Sequence, residues 1–160
     1  MATTLMEFID PAAIVLGAEA GDSEAVIRLL GGKLEALGYV KPSFVEAVLR
    51  REASLPTGLP LGYARNVAIP HTNPEHVIKP GIALAVLSQP VGFANMEDPD
   101  ETVPVGYVFL LAINDKDKQI DMLQQIMDTI QSQQALDALA GAKSVDEVVS
   151  VLGGKGDVAA

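Results

Sequence analysis

Apolar positions along this chain switch between two spacings, and the switch marks out its elements. Val26, Ile27, Leu29, Leu30, Leu34 and Leu37 recur near the helical period. Asp22-Ser23 supplies a cap for that helix and Gly38 a natural stop. Ser43 and Glu46 have the spacing of a capping box, predicting a second helix that turns Phe44, Val45, Val48 and Leu49 inward. Pro56, Gly58, Pro60 and Gly62 then break regular structure and predict a constrained loop. The period next changes. Residues 66–69 read as a short strand stopped by Pro70, and residues 81–88 (GIALAVLS) and 103–113 (VPVGYVFLLAI) are near-continuous apolar runs. Such runs suit central strands covered on both faces. The stretch between them, with Glu97, Asp98, Asp100 and Glu101, predicts a solvated acidic loop. After Asp115 a helix begins, with Ile120, Leu123, Ile126, Met127 and Ile130 as its core face. Ser144 with Glu147 caps a last helix ending near Gly153, and residues 154–160 read as a flexible tail. The fold class is α/β, a sheet sandwiched between helices, in one domain over residues 1–153.

Composition narrows the function classes. The 160 residues are enough for one domain with a sizeable core. Net charge is −10, from 21 acidic against 11 basic residues, which disfavours nucleic acid and anionic lipid and favours partners with basic patches. The absence of cysteine excludes disulfides, thiol nucleophiles and zinc–thiolate sites, and fits a reducing compartment. Residues 1–8 lack the basic start and apolar core of a signal peptide. No apolar run approaches the ~20 residues that span a bilayer. These features predict a cytoplasmic protein without membrane insertion.

The reactive side chains are few. The two histidines are His71 and His76, and His71 follows a strand end at Ile69-Pro70. Proline cannot extend a strand ladder within a sheet, so Pro70 turns the chain out and presents His71 at the rim, where clefts of α/β sheets lie. A neutral imidazole with one nitrogen fixed by an acceptor such as a backbone carbonyl has its other lone pair free for attack. Such a nucleophile suits a phosphoryl group, whose oxygens need donors. The planar guanidinium of Arg51 offers two in a fork. Thr57 and nearby loop amides would add neutral donors, and Glu52 would orient Arg51 or His71. The spacing of His71 and His76, with Pro74 between them, is not that of a helical zinc pair, so His76 is read as a structural or supporting residue and no metal or cofactor is expected. The Met96–Glu101 stretch lacks the spacing and central glycine of a calcium loop.

The stretch RREASLPTGLPLGYARNVAIPH resembles the phosphorylation-site signature of enzyme IIA domains of the phosphotransferase system, in the fructose–mannitol class. Arg-Glu on a helix, Pro-Thr-Gly, and a strand ending in aliphatic-Pro-His follow in order, and the likeness extends over essentially the whole chain. Within that class the chain is most similar to galactitol-type members, through the His71/His76 pair and the segment after the last apolar run. Many mannitol, fructose and nitrogen-regulatory members carry a second histidine at the start of the following helix; here Gln119 occupies that place. Glutamine donates a hydrogen bond but brings no titratable proton.

The resemblance implies a mixed β-sheet and a two-step relay. His71 takes a phosphoryl group from the phosphohistidine of the carrier protein HPr and gives it to a cysteine of a cognate IIB. A sugar or polyol, galactitol or a related one, is then modified as it enters through a membrane IIC subunit. The absence of cysteine agrees, since the next acceptor must lie elsewhere. So does the absence of a Gly-x-x-x-x-Gly-Lys loop, since the donor need not be a nucleotide. The alternative within the family is a nitrogen-regulatory protein that binds targets according to its phosphorylation state.

Overall fold

The computed structural model describes residues 8–152; residues 1–7 and 153–160, which include most of the N-terminal stretch and the whole of the expected tail, lie outside the described residues. Among the described residues there are five strands, β1 (Ile9–Ala18), β2 (Gly58–Leu59), β3 (Asn66–Ala68), β4 (Gly81–Asn95) and β5 (Asp98–Ala112). The helices are α1 (Ser23–Ala36), α2 (Phe44–Ser54), α3 (Lys116–Ile130), α4 (Gln133–Ala140) and α5 (Val145–Leu152). The expected α/β sandwich is present, and its sheet is mixed. β4 lies between a parallel β1 and an antiparallel β5. β3 runs parallel to β5, and β2 pairs antiparallel with β3 while Gly58 reaches Asn95 at the end of β4.

The alternation of the two long strands explains their unbroken apolarity. Ala83, Ala85 and Leu87 of β4, with Val108, Leu110 and Ala112 of β5, face α1 and α2 and pack with Val26, Ile27, Leu30, Leu34, Phe44 and Val48. The intervening Ile82, Leu84 and Val86, with Tyr107, Phe109 and Leu111, face α3–α5 and pack with Met122, Ile126, Ile130, Leu136, Leu139, Val148 and Leu152. Each large apolar side chain removed from water contributes about 1.5–3 kcal/mol, so a polar residue on either face would be costly.

The ends of the helices show which caps operate. Asp22 accepts from the Ala25 amide, and Gly38, at φ 86°, closes α1 in a conformation that favours glycine. Ser144 accepts from the Glu147 amide, and Glu147 reaches back to the Lys143 amide. Ser43 precedes α2 but makes no side-chain cap; its hydroxyl is used elsewhere.

Several elements differ from the sequence expectation. β4 does not stop at Ser88. It runs on through Pro90 to Asn95, and the ladder with β5 is interrupted between Val86 and Val91. The guanidinium of Arg65 occupies that interruption, donating to the carbonyls of Leu87 (2.7 Å) and Ser88 (3.2 Å). The acidic stretch is correspondingly not a loop. A turn at Met96-Glu97 connects the strands, and Asp98, Asp100 and Glu101 belong to β5. On α3, Met122 is fully buried in place of Ile120, which is 65% exposed, and Met127 lies at the margin. The buried stripe Met122–Ile126–Ile130 is spaced by four residues, and Ile120 falls on its opposite side.

Candidate functional site

β3 positions the candidate nucleophile. Its three residues are buried, and the Leu111 amide donates to the Pro70 carbonyl at 3.0 Å, so β5 holds the chain one step beyond the strand before it turns out. Asn66 fixes the other end. Its Oδ1 accepts from the Leu61 and Tyr63 amides, and its Nδ2 donates to the carbonyls of Tyr63 and Pro104. With its four hydrogen-bonding positions used, a residue that the sequence reading passed over anchors the loop leading into the histidine strand.

His71 folds back on that strand. Its Nδ1 lies 3.0 Å from the Ile69 carbonyl. A carbonyl only accepts, so Nδ1 carries the proton and Nε2 holds the free lone pair. Burial pushes the imidazole below its ordinary pKa, the hydrogen bond to Ile69 opposes this, and the nearby Arg51 charge lowers it further. The ring is therefore neutral and nucleophilic at neutral pH. Its titration, followed by histidine ring NMR, has a midpoint below the ordinary value of about 6.5, and Arg51→Gln raises it. A midpoint at or above the ordinary value, or no rise in the variant, would contradict this arrangement. The unfolded chain takes up that proton first, so the group withdraws stability as pH falls through about 6.5.

Arg51 lies in the last turn of α2, on the same helix face as Ala47, Ser54 and Ser43. Its Nε is buried and has no hydrogen-bond partner among the described residues. A buried guanidinium donor without an acceptor is costly, and a phosphoryl oxygen is the acceptor that suits its fork geometry. Arg50 and Arg51, with Leu55, Thr72, Asn73 and His76, line a groove of about 280 Å³. The groove is locally basic although the chain is acidic overall, and the exposed Leu55 (55%) gives it an apolar rim.

Glu52 and Thr57 form a unit of their own. The Thr57 amide donates to one carboxylate oxygen of Glu52 (2.9 Å) and the Thr57 hydroxyl to the other (2.8 Å). This corrects the expected roles of both residues. Thr57 spends both donors on Glu52, and Glu52 supports the turn after α2 in place of Arg51 or His71. Burial raises the Glu52 pKa, and the two bonds from Thr57 counter that rise. The next residue of the motif is constrained too. A Cβ on Gly58 would lie 2.6 Å from the Ala94 carbonyl oxygen, so only glycine lets β2 close onto β4.

Gln119 sits in the first turn of α3, which leaves β5 beside the end of β3, and it is half-buried. Neither Gln119 nor His71 itself is among the residues that line the groove with Arg51; on the histidine segment the groove begins at Thr72, the residue after His71. His76 ends a single 3-10 turn, Pro74–His76; its Nδ1 lies 2.8 Å from the Ser43 hydroxyl and its Nε2 3.7 Å from Glu75. Among the described residues no three metal-ligating side chains converge, and no helix is long and apolar enough to cross a membrane.

The model of the family "Phosphoenolpyruvate-dependent sugar phosphotransferase system, EIIA 2" matches residues 7–154. The chain belongs to this family. As an EIIA domain it is a phosphotransferase component that carries a phosphohistidine intermediate. It is 33% identical over 142 residues to the mannitol-specific EIICBA component of Vibrio cholerae, covering 87% of this chain and 20% of that protein. The chain thus spans about a fifth of the length of that relative. It is 28% identical over 118 residues to the galactitol-specific EIIA component of an Escherichia coli O6:H1 strain, covering 74% of this chain and 77% of that one. The solved complex of mannitol enzyme IIA with phosphorylated enzyme IIB from E. coli contains a chain of the same fold, with TM-score 0.71, 29% identity and coverage of 92% and 98%.

Proposed function

We propose that this EIIA domain accepts a phosphoryl group from phospho-HPr on Nε2 of His71 and passes it to a cysteine of a cognate IIB. The observation that carries this reading is a free Nε2 on a ring that feels the charge of Arg51, a guanidinium on α2 whose buried Nε has no partner among the described residues. In the first step the Nε2 lone pair attacks phosphorus, the new N–P bond forms as the donor's N–P bond breaks, and the electron pair returns to the donor imidazole. Arg51 neutralises charge on the transferred oxygens, and catalysis rests on in-line positioning. Gln119, entering from the helix after β5, is proposed as a further neutral donor. In the second step a thiolate reverses the attack and leaves His71 neutral, with Nδ1 still on Ile69.

The coupled substrate is proposed to be galactitol or a related polyol, taken up through a membrane IIC subunit with this domain in the cytoplasm. The galactitol-specific EIIA relative and the Gln119 position support that choice, while the mannitol-specific relatives support the class more broadly. The test is phosphorylation from phosphoenolpyruvate with enzyme I and HPr, followed by site mapping at alkaline pH. An acid-labile, alkali-stable adduct on His71 that a galactitol IIB discharges faster than a mannitol IIB is the expected result. No adduct, beside an active control IIA, would refute the relay, and preferential discharge by the mannitol IIB would refute the substrate assignment.

A further inference from the structure

We propose that His76 is a positioning residue that holds the His71 segment in register along α2 and so sets the approach of Nε2 to Arg51; this rests on the phosphocarrier reading above. Ser43, Ala47, Arg51 and Ser54 lie four, four and three residues apart, so they form one stripe along α2 and the turn before it. The segment after the nucleophile lies over that stripe. Thr72, Asn73 and His76 line the same groove as Ala47, Arg51 and Ser54. Its far end is fastened at His76 twice. The ring Nδ1 meets the Ser43 hydroxyl at 2.8 Å, and the His76 carbonyl accepts from the Lys41 amide at 2.9 Å. An antiparallel bridge between Val40 and Val77 continues the attachment. The near end is fixed by the Pro70 carbonyl and by the Ile69 carbonyl on the His71 ring.

The segment that carries the nucleophile is thus held at both ends. One end belongs to the sheet and the other to the helix that carries the guanidinium. Ser43 stands at a helix start, where a serine ordinarily bonds a helix amide, yet its hydroxyl serves His76 and no side-chain cap is made. The polar partners of the imidazole are Ser43 and Glu75, and its proposed action passes through the segment. Displacement of a reacting atom by about 1 Å costs on the order of 100-fold in rate, so a modest slip of this segment is enough to matter.

The test is single-turnover transfer from purified phospho-HPr to the full chain, as a function of HPr concentration, for wild type, His76→Ala, Ser43→Ala, the double variant and His76→Asn. The maximal rate is expected to fall about tenfold or more in either alanine variant with the half-saturating HPr concentration unchanged. The double variant is expected to be no slower than the singles, because both remove one link. His76→Asn places an amide atom where Nδ1 was and is expected to restore most of the rate. Unchanged maximal rates, additive losses, or a failure of the asparagine variant to exceed His76→Ala would each overturn the proposal. Ser43→Ala keeps the test sound if His76→Ala unfolds. A wild-type chain that takes up no phosphoryl group refutes the relay itself, whereas an active wild type with unaffected variants refutes only the role of His76.

Discussion

A chain carrying His71→Ala is expected to take up no phosphoryl group under conditions that label the wild type fully, as read by intact-mass measurement at alkaline pH. The reason is chemical scarcity together with geometry. The chain has no cysteine, and its other histidine has Nδ1 engaged with Ser43. In His71 the Ile69 carbonyl, which only accepts, fixes the proton on Nδ1 and leaves the Nε2 lone pair free within reach of the Arg51 charge. In His76 the Ser43 hydroxyl can donate or accept and fixes no tautomer, and Nε2 lies 3.7 Å from Glu75. The substitution leaves β3 and its bonds to β5 in place, so the protein remains folded and the loss is read at the site itself. An adduct persisting in the variant, on His76 or elsewhere, would overturn the assignment.

Arg51 is expected to show the second largest effect. Removing a preorganised donor to developing charge typically slows the chemical step by about 10²–10³-fold, and Arg51→Ala should lie in that range. Arg51→Lys keeps the charge and loses the planar fork, so its rate should fall between the alanine variant and the wild type. Rapid-quench measurement of transfer from phospho-HPr separates the three. Transfer by both variants at the wild-type rate would mean that the unpartnered Nε serves no phosphoryl oxygen.

The parts of the fold that could be read from sequence are those where one physical signal dominated. The central runs of β4 and β5 stood out because both faces are covered, leaving no position for a polar residue. α1 stood out through its cap, its period and its glycine stop. β1 gave no such signal. It is an edge strand with Pro11 and exposed positions near its start, and proline is tolerated there because it falls in the irregular stretch between Ile9 and Ile14, where the ladder with β4 is interrupted. The start of β5 is acidic and exposed, and it is a strand only because the end of β4 supplies its partner. α4 opens on a polar run and is set off from α3 by Ser132, whose hydroxyl accepts from the Ala135 amide.

At the site, the motif pointed to His71 and Arg51 because each chemistry admits few residue types. It did not separate Glu52 and Thr57 from them, since adjacency in a motif does not say which side chain bonds which. The two carboxylate oxygens of Glu52 and the two donors of Thr57 happen to satisfy one another. The Ser43–His76 contact joins residues 33 apart in sequence, and the local spacing of Ser43 and Glu46 pointed instead to a helix cap. The continuation of β4 through Pro90 depends on Arg65, a partner that no local pattern reveals.

β3 is only three residues long, yet its side chains are divided between both layers: Ala68 lies among the residues packed with α1 and α2, and Val67 among those packed with α3–α5. The reactive ring hangs directly from this splice. Loosening either layer is therefore expected to shift the strand and the ring with it. Competence to carry the phosphoryl group is then expected to be lost when either layer loosens, over the same temperature range as the packing of that layer.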